Sequence, residues 1–481
     1  MKTRGLFLSA LIMGAVFTGC SNEEIMDNGS QKSLAKSDNY IAVNIVAPSD
    51  AISRGTEGGF VAGDPVENKV TDAWFVFFNE AGGYVDAVEG KLENWSDGSG
   101  SIEKISSAVI VLSNPQTWPT QMVALLNTGM KQTDFSGMSL ATLKAMQGDY
   151  SANFVMSNSV YKNGNTIMTT TPLTDANICS SEQAAKDNPV SIPVERVLAK
   201  VEASASDVQI LDPDVEPQLN GENVKFIPEI TGMALVHTNP TSYLLKNIDG
   251  VDPASWAAWN DATNWRSYWA NSAVPTSGYT SYSYNAIADN QTALSEYCFE
   301  NTSGTPTKLL VTAQFKAENA EAYETILKYN GTYYTLPGLK QYLKDQYFAE
   351  TEITVDNMTF VSAGTENEWE VKLSLGEGQS ENIQAIVGTI NNKTISQWTD
   401  GKCYYYVNVE HFGPENSGYE IGVVRNHWYK LTLNSIKGLG TPVFDPSKEI
   451  TPDKPEEENF YVAAQVNILQ WKMVSQTVDL Q

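Results

Sequence analysis

The clearest pattern in the chain is alternation. In residues 40–46, Ile41, Val43 and Ile45 alternate with Ala42 and Asn44, the period-two signature of a strand with one buried face. Pro48 ends that run. A second alternating run closes the chain, with Val462, Ala464, Val466 and Ile468 on one face. After a phase change near Gln470, Val474, Val478 and Leu480 continue it. Between these ends the apolar runs are short and β-rich: residues 73–78 (before Gly82-Gly83), 122–126, 194–201, 309–313, 404–407 and 428–433. Two helices are expected. Residues 139–147 have Ser139 as cap, with Leu140 and Leu143 on one face. Residues 337–348 turn Leu339, Tyr342 and Leu343 inward. Asn330-Gly331 reads as a hairpin turn, because both residues tolerate positive φ. The expected fold is mainly β, two tandem β-sandwich-like (transthyretin-like) domains with a few short helices.

The N-terminus sets the compartment. A basic start, Met1-Lys2-Thr3-Arg4, precedes an apolar run over residues 5–17. That is the length of a signal-peptide core and too short for a membrane span, which needs ~20 residues. Val16-Phe17-Thr18-Gly19-Cys20 then reads as a lipobox, with lipid attached to the Cys20 sulfur; the alternative is a plain secretory signal with a chance cysteine. The expected plan is a signal peptide (1–19), a lipidated propeptide with the first strand (20–54), an N-terminal β domain (55–202), a C-terminal β domain (203–459) and terminal strands (460–481). Residues 441–459, with four prolines and Glu456-Glu457-Glu458, read as an extended tether. Such a segment spans up to roughly 60 Å at ~3.3 Å per residue.

Composition narrows the function. A net charge of −26 argues against nucleic acid as a partner, since phosphates would be repelled. Beyond Cys20 only Cys179, Cys298 and Cys403 remain, allowing at most one disulfide and suggesting no zinc site. His237, His411 and His427 lack metal-ligand spacing, with His427 read as a strand residue whose ring is satisfied. No phosphate loop, G-x-S-x-G, H-E-x-x-H or calcium loop occurs. No catalytic residue, metal or cofactor is expected. Trp256, Trp259, Trp265 and Trp269 crowd a stretch with Tyr268, Tyr279 and Tyr282. They read as a packed insertion or as a sugar-stacking patch.

The two alternating runs resemble each other. Val43-Asn44-Ile45-Val46 overlays Val466-Asn467-Ile468-Leu469, so that Ile41, Val43 and Ile45 correspond to Ala464, Val466 and Ile468. Between the first run and the body lies Arg54-Gly55, in a loop-like stretch open to a trypsin-like protease. Cutting there would free the first strand, and a neighbour's C-terminal strand would fill the vacated groove. Such head-to-tail contacts do not close and build a filament. Equally, both runs can be ordinary strands of their own domains.

One stretch, Val423-Val424-Arg425-Asn426-His427-Trp428-Tyr429-Lys430-Leu431 and on to Gly440, resembles the C-terminal signature of Bacteroidales fimbrillins of the minor-fimbrium subunit type (type V pilins). Residues 153–158, 194–200, 265–270 and Trp471-Lys472 are similar to other parts of that family. The resemblance implies a lipidated precursor, trimmed at Arg54 and polymerised through a donor segment that includes Trp471. It also implies a shaft subunit in a surface fimbrium, with copies of itself and with anchor and tip subunits as partners, the precursor being held in the outer membrane by its lipid. The rival expectation is a monomeric surface lipoprotein that binds glycans through the aromatic stretch.

Overall fold

The computed structural model describes residues 39–48, 63–97, 102–112, 117–163, 166–210, 218–250, 270–274, 278–287, 291–302, 305–364, 369–411, 422–436, 438–450 and 462–469. Among the described residues no helix is long and apolar enough to cross a membrane.

The first half is built on β1 (Asn39–Pro48), β2 (Ala73–Phe78), β3 (Tyr84–Glu89), β4 (Glu93–Asp97), β5 (Ile102–Leu112) and β6 (Gln121–Leu126). Then come α1 (Leu140–Ala145), β7 (Met156–Asn158), α2 (Glu182–Asp187) and β8 (Val190–Arg196). The strands form one nine-stranded sheet in the order β3-β2-β6-β7-β8-β1-β5-β4 with one further short strand on β6. The two layers expected of a sandwich are therefore one sheet folded over a shared core. Strand β8 makes the corner: Val190 to Pro193 pair with β1, whereas Val194 to Arg196 pair with β7. Inside lie Ile41, Val43 and Ile45 of β1, Phe75 and Phe77 of β2, and Ile110 and Ile192. The other face of β2, Trp74, Val76 and Phe78, enters a second core that also holds Val197, Leu198, Leu244, Leu245 and Phe299. Burial on both faces explains why this strand is apolar at every position.

The second half begins with β9 (Leu198–Ile210), one residue after β8. It continues through β10 (Phe226–Val236), β11 (Ala293–Phe299) and β12 (Lys308–Ala317). A lobe follows, with β13 (Ile326–Tyr329), β14 (Thr332–Thr335), α3 (Leu336–Tyr347), α4 (Glu381–Asn391) and β15 (Ile395–Trp398). The chain then returns as β16 (Lys402–Asn408), β17 (Trp428–Ile436), β18 (Thr441–Pro442) and β19 (Val462–Leu469). Two four-stranded sheets, β11-β9-β17-β19 and β10-β12-β16-β18, close over a core that includes Val201, Val311, Phe315, Tyr405, Tyr429 and Leu431. The lobe has its own core of Leu327, Tyr329, Leu339, Leu343, Met358 and Ile390.

The expected helices are present but shifted. Thr335 caps α3 by accepting from the Gly338 N–H at 3.1 Å, and Leu339 and Leu343 are fully buried. Helix α1 stops at Ala145, because Gln147-Gly148 pair as a strand with Ser242-Tyr243. The Asn330-Gly331 turn joins β13 to β14 with both φ values positive, 52° and 85°.

Two expectations change. The run 194–201 is two strands rather than one, and the chain leaves the first sheet at Val197, ahead of the boundary expected near 203. Residues 441–450 are not tether: Thr441-Pro442 pair with β16, Val443 and Ile450 are buried, and the Ile450 N–H donates to the Tyr282 carbonyl at 2.8 Å. Proline there shapes a packed edge, and the sequence reading mistook its lack of periodicity for lack of packing. The buried Cys179, Cys298 and Cys403, for which at most one disulfide was possible, form none with one another. Desolvation pushes the Cys298 thiol up to about 12.

At the entry to β16, Gly401 has φ +70°, and a Cβ there would stand 2.0 Å from the Phe315 carbonyl oxygen. Gly401→Ala should therefore lower the urea midpoint of unfolding, by roughly 1–3 kcal/mol or more in stability. An unchanged midpoint would show that this backbone approach is not tight.

Candidate strand groove and interdomain junction

The site starts from β1. It lies inside the sheet, with β5 antiparallel on one side and β8 parallel on the other. Ten of its residues are in register with β5, from Asn39 opposite Leu112 to Pro48 opposite Ile102. At its start, where β8 does not reach, Tyr40 exchanges both backbone hydrogen bonds with Cys179, at 2.7 and 2.9 Å. Ile41, Val43 and Ile45 are at most 1% exposed. Burying three such side chains is worth roughly 5–9 kcal/mol gross, comparable with the whole stability of a typical domain. Withdrawal of β1 would leave two unpaired strand edges above an apolar trench.

The second half repeats this arrangement. Its own first strand, β9, also lies between an antiparallel neighbour, β11, and a parallel one, β17. The two differ in attachment. Strand β9 follows β8 after a single buried residue, Val197, so it is fixed at its start by a folded strand. Strand β1 is followed by residues 49–62, the segment that holds Arg54. Only the first-half groove has a filler that one cut in that segment could detach.

The C-terminal run forms β19, antiparallel to β17 at the edge of its sheet, with Val466 opposite Leu431 and Ile468 opposite Tyr429. The backbone placement of Val462, Ala464, Val466 and Ile468 is thus a strand, as expected. Cys20, Arg54, Gly55, Trp471, Val474, Val478 and Leu480 lie outside the described residues, as do Trp256, Trp259, Trp265, Tyr268 and Trp269. Of that aromatic stretch, Tyr279 stands 5.9 Å from the His237 ring, and Tyr282 packs beside the core of Leu310 and Ile450.

Between the halves sits a polar cluster that the sequence reading did not find. Arg425 is fully buried. Its guanidinium meets Glu300 Oε2 at 3.2 Å and donates to the Tyr243 carbonyl at 2.8 Å, to Ser242 Oγ at 3.2 Å and to the Leu244 carbonyl at 3.3 Å. Asn426, in the left-handed region at φ 58°, donates its N–H to the Leu198 carbonyl at 2.7 Å. Its side-chain oxygen accepts from the Arg196 N–H at 3.2 Å and from Arg196 Nη1 at 3.1 Å. Arg196 Nε reaches the Glu67 carbonyl at 2.9 Å, and the Glu67 carboxylate takes Lys200 at 3.1 Å and the Tyr297 hydroxyl. Burial works against the Lys200 charge, but Glu67, Glu202 and Asp64 outweigh it and raise its pKa. Lys200 also stands 4.2 Å above the Trp428 ring. Removing one member of such a buried pair typically costs 3–5 kcal/mol, since its partner is left charged and unsolvated. The junction therefore ties the end of β8 to the start of β17.

The available signal was composition in context. Glu195-Arg196 interrupts one apolar run and Arg425-Asn426-His427 precedes another, and charged residues are rarely buried unless paired. His411 and His427, 16 positions apart in sequence, have ring centroids 4.9 Å apart, and His411 Nδ1 lies 2.9 Å from the Tyr429 hydroxyl. His427 is in the turn before β17, its Nδ1 2.8 Å from the Arg425 carbonyl. Among the described residues no group of three or more His, Cys, Asp or Glu is arranged to hold a metal ion.

The signature stretch sits inside a wider sequence match. Residues 396–477 match the family model for the major fimbrial subunit protein type IV, fimbrillin, C-terminal. Over that part, the chain is similar to fimbrillins. The match covers β16 through β19, and so includes the Arg425-Asn426 turn of the junction and the C-terminal strand. No curated protein matches the chain. Solved structures similar to this chain include an inferred cell adhesion protein of Parabacteroides distasonis, at 13% identity and TM-score 0.38, covering 90% of this chain and 98% of that one. Another, from Bacteroides eggerthii, has 13% identity and TM-score 0.35, covering 90% and 96%. The tip fimbrial protein Mfa3 from Porphyromonas gingivalis with C-terminal truncation has 12% identity and TM-score 0.32, covering 90% and 100%. These likenesses are too loose to equate positions.

Within the junction, Glu195 is 1% exposed, accepts from Ser159 Oγ at 3.0 Å and has its other oxygen unsatisfied. Desolvation raises its pKa, against the opposing pull of Lys246 and Arg425. A raised carboxyl pKa means that the folded form holds its proton better. That contribution to stability is present below the ordinary glutamate range and is lost as pH rises through the folded pKa. Glu195→Gln keeps the acceptor for Ser159 and removes the buried charge. It should raise the melting temperature at pH 7 relative to the parent, and the gain should shrink as pH falls toward 4. A loss of stability at pH 7 would mean that the Glu195 charge is needed by Lys246 and Arg425.

Proposed function

We propose that the chain is a structural shaft subunit of a surface fimbria, exported as a lipoprotein precursor, lipidated on Cys20, cleaved after Arg54 and polymerised head-to-tail by donor-strand exchange. A fimbrial, non-enzymatic subunit is what the fimbrillin match supports. The finer reading rests on one observation: β1, which precedes the segment holding Arg54, fills an internal groove with Ile41, Val43 and Ile45 buried to 1% exposure or less. The C-terminal segment 464–469 carries the same alternation. In the proposed polymer, the tail of a second copy lies between β5 and β8, with Val466 and Ile468 in the pockets of Val43 and Ile45. Ala464 stands where Ile41 does, and Trp471, Val474, Val478 and Leu480 extend the contact beyond the groove. Residues 451–461 alone then link the packed body to the donor, about 36 Å at full extension. Anchor and tip subunits would complete the fibre, whose role is adhesion or biofilm formation. The lipid would hold only the precursor in the outer membrane, because cleavage at Arg54 parts it from the body.

Trypsin treatment of the purified precursor should give a ladder of polymers on an unboiled denaturing gel. Deleting residues 460–481 should abolish the ladder. Arg54→Ala should leave the precursor folded and block assembly. Ladders at normal yield from Arg54→Ala would place the trigger elsewhere, and ladders without residues 460–481 would remove the donor segment from the account.

A further inference from the structure

The outward face of β1 is covered as well as its core face. Ala42 is 4% exposed and packs with Cys179 and Ala185, which are 1% and 0% exposed. Tyr40, Val109 and Ala184 border this small cluster. Helix α2 lies across β1 and β5, with Ser181 capping its start through the Ala184 N–H at 3.2 Å. The segment ahead of it is pinned to the strand by the two Tyr40–Cys179 backbone hydrogen bonds. The groove is therefore roofed at its entrance by residues 178–187, and the residue that the roof closes on is an alanine.

The donor does not supply that residue. In the overlay that brings Val466 and Ile468 onto Val43 and Ile45, Gln465 stands at the position of Ala42. A glutamine there is several atoms longer, and seating its polar amide beside Ala185, Cys179 and Val109 crowds the cover unless the cover moves. We infer that residues 178–187 are a clasp that recognises which strand fills the groove, shut over Ala42 in the precursor and held open by Gln465 when the tail of a second copy is seated. The clasp gives the donor a second contact surface, and it makes the Cys179 thiol a marker of exchange. This inference rests on the strand-exchange reading, but its first test does not require a polymer.

That test is maleimide labelling of the native full-length precursor, mapped by mass spectrometry, with the buried Cys298 and Cys403 as internal references. Ala42→Gln should speed labelling of Cys179 by about tenfold or more and leave Cys298 and Cys403 at their parental rates. An unchanged Cys179 rate overturns the clasp. If all three thiols speed up together, the substitution has loosened the whole chain, and Ala42→Ser, a smaller polar change, is judged by the same criterion. The second arm uses the trypsin-assembled polymer: Cys179 should label readily there, and a Gln465→Ala polymer should protect it again. Protection of Cys179 in the parental polymer equal to that in the precursor also overturns the clasp. If no ladder forms, strand exchange itself fails, while the precursor arm still decides whether the cover closes on Ala42.

Discussion

The structure depends on the seating of one strand. Strand β1 supplies three fully buried side chains to the first core and the backbone partners of two neighbouring strands, yet it is attached to the rest of the chain only through residues 49–62. Edge pairing and apolar burial normally make a strand permanent. Here the same forces make its absence costly, and a groove that is costly to leave empty will hold any strand of matching period and side-chain size. The second half has the same topology around β9, but Val197 joins that strand directly to β8. Covalent attachment, more than sheet order, distinguishes β1 from β9.

In the proposed filament, tension would pass through each subunit. Strand β8 forms one wall of the groove and ends in Glu195-Arg196, while β17 begins after Arg425-Asn426-His427 and pairs with the C-terminal strand. The hydrogen bonds between Arg196 and Asn426 lie where these two strands meet. The Arg425-Asn426-His427 turn is thus a structural joint: Arg425 pairs with Glu300, Asn426 accepts from Arg196, and His427 packs against His411 and Tyr429.

Much of the fold was legible in the sequence. Alternation in residues 40–46 gave both the strand and its buried face, and the all-apolar run 73–78 is buried on both faces. Caps and turn residues located α1, α3 and the Asn330-Gly331 hairpin. What stayed hidden depends on contacts distant in sequence. The packing of Val443 and Ile450 needs partners such as Tyr282 and Leu310, which no local pattern names. The break at Val197 within an apolar run carries no glycine or proline, so nothing marked the change of sheet. Helix α4, mostly exposed, fully buries only Ile390, with Ile383, Ile386 and Val387 half buried against the lobe, and it was not anticipated. The roof over Ala42 and the ion cluster around Arg425 arise from tertiary neighbours alone.

Backbone hydrogen exchange tests the central claim most directly. The amides of β5 opposite β1, residues 105–111, and of β8 at 190–193 should be protected in the precursor. They should exchange freely once the chain is cut at Arg54 and the first strand has left, and become protected again when a peptide of residues 460–481 is added. Amides that stay protected after the first strand has left, with no peptide present, would contradict the account, because the sheet would then be complete without a second molecule.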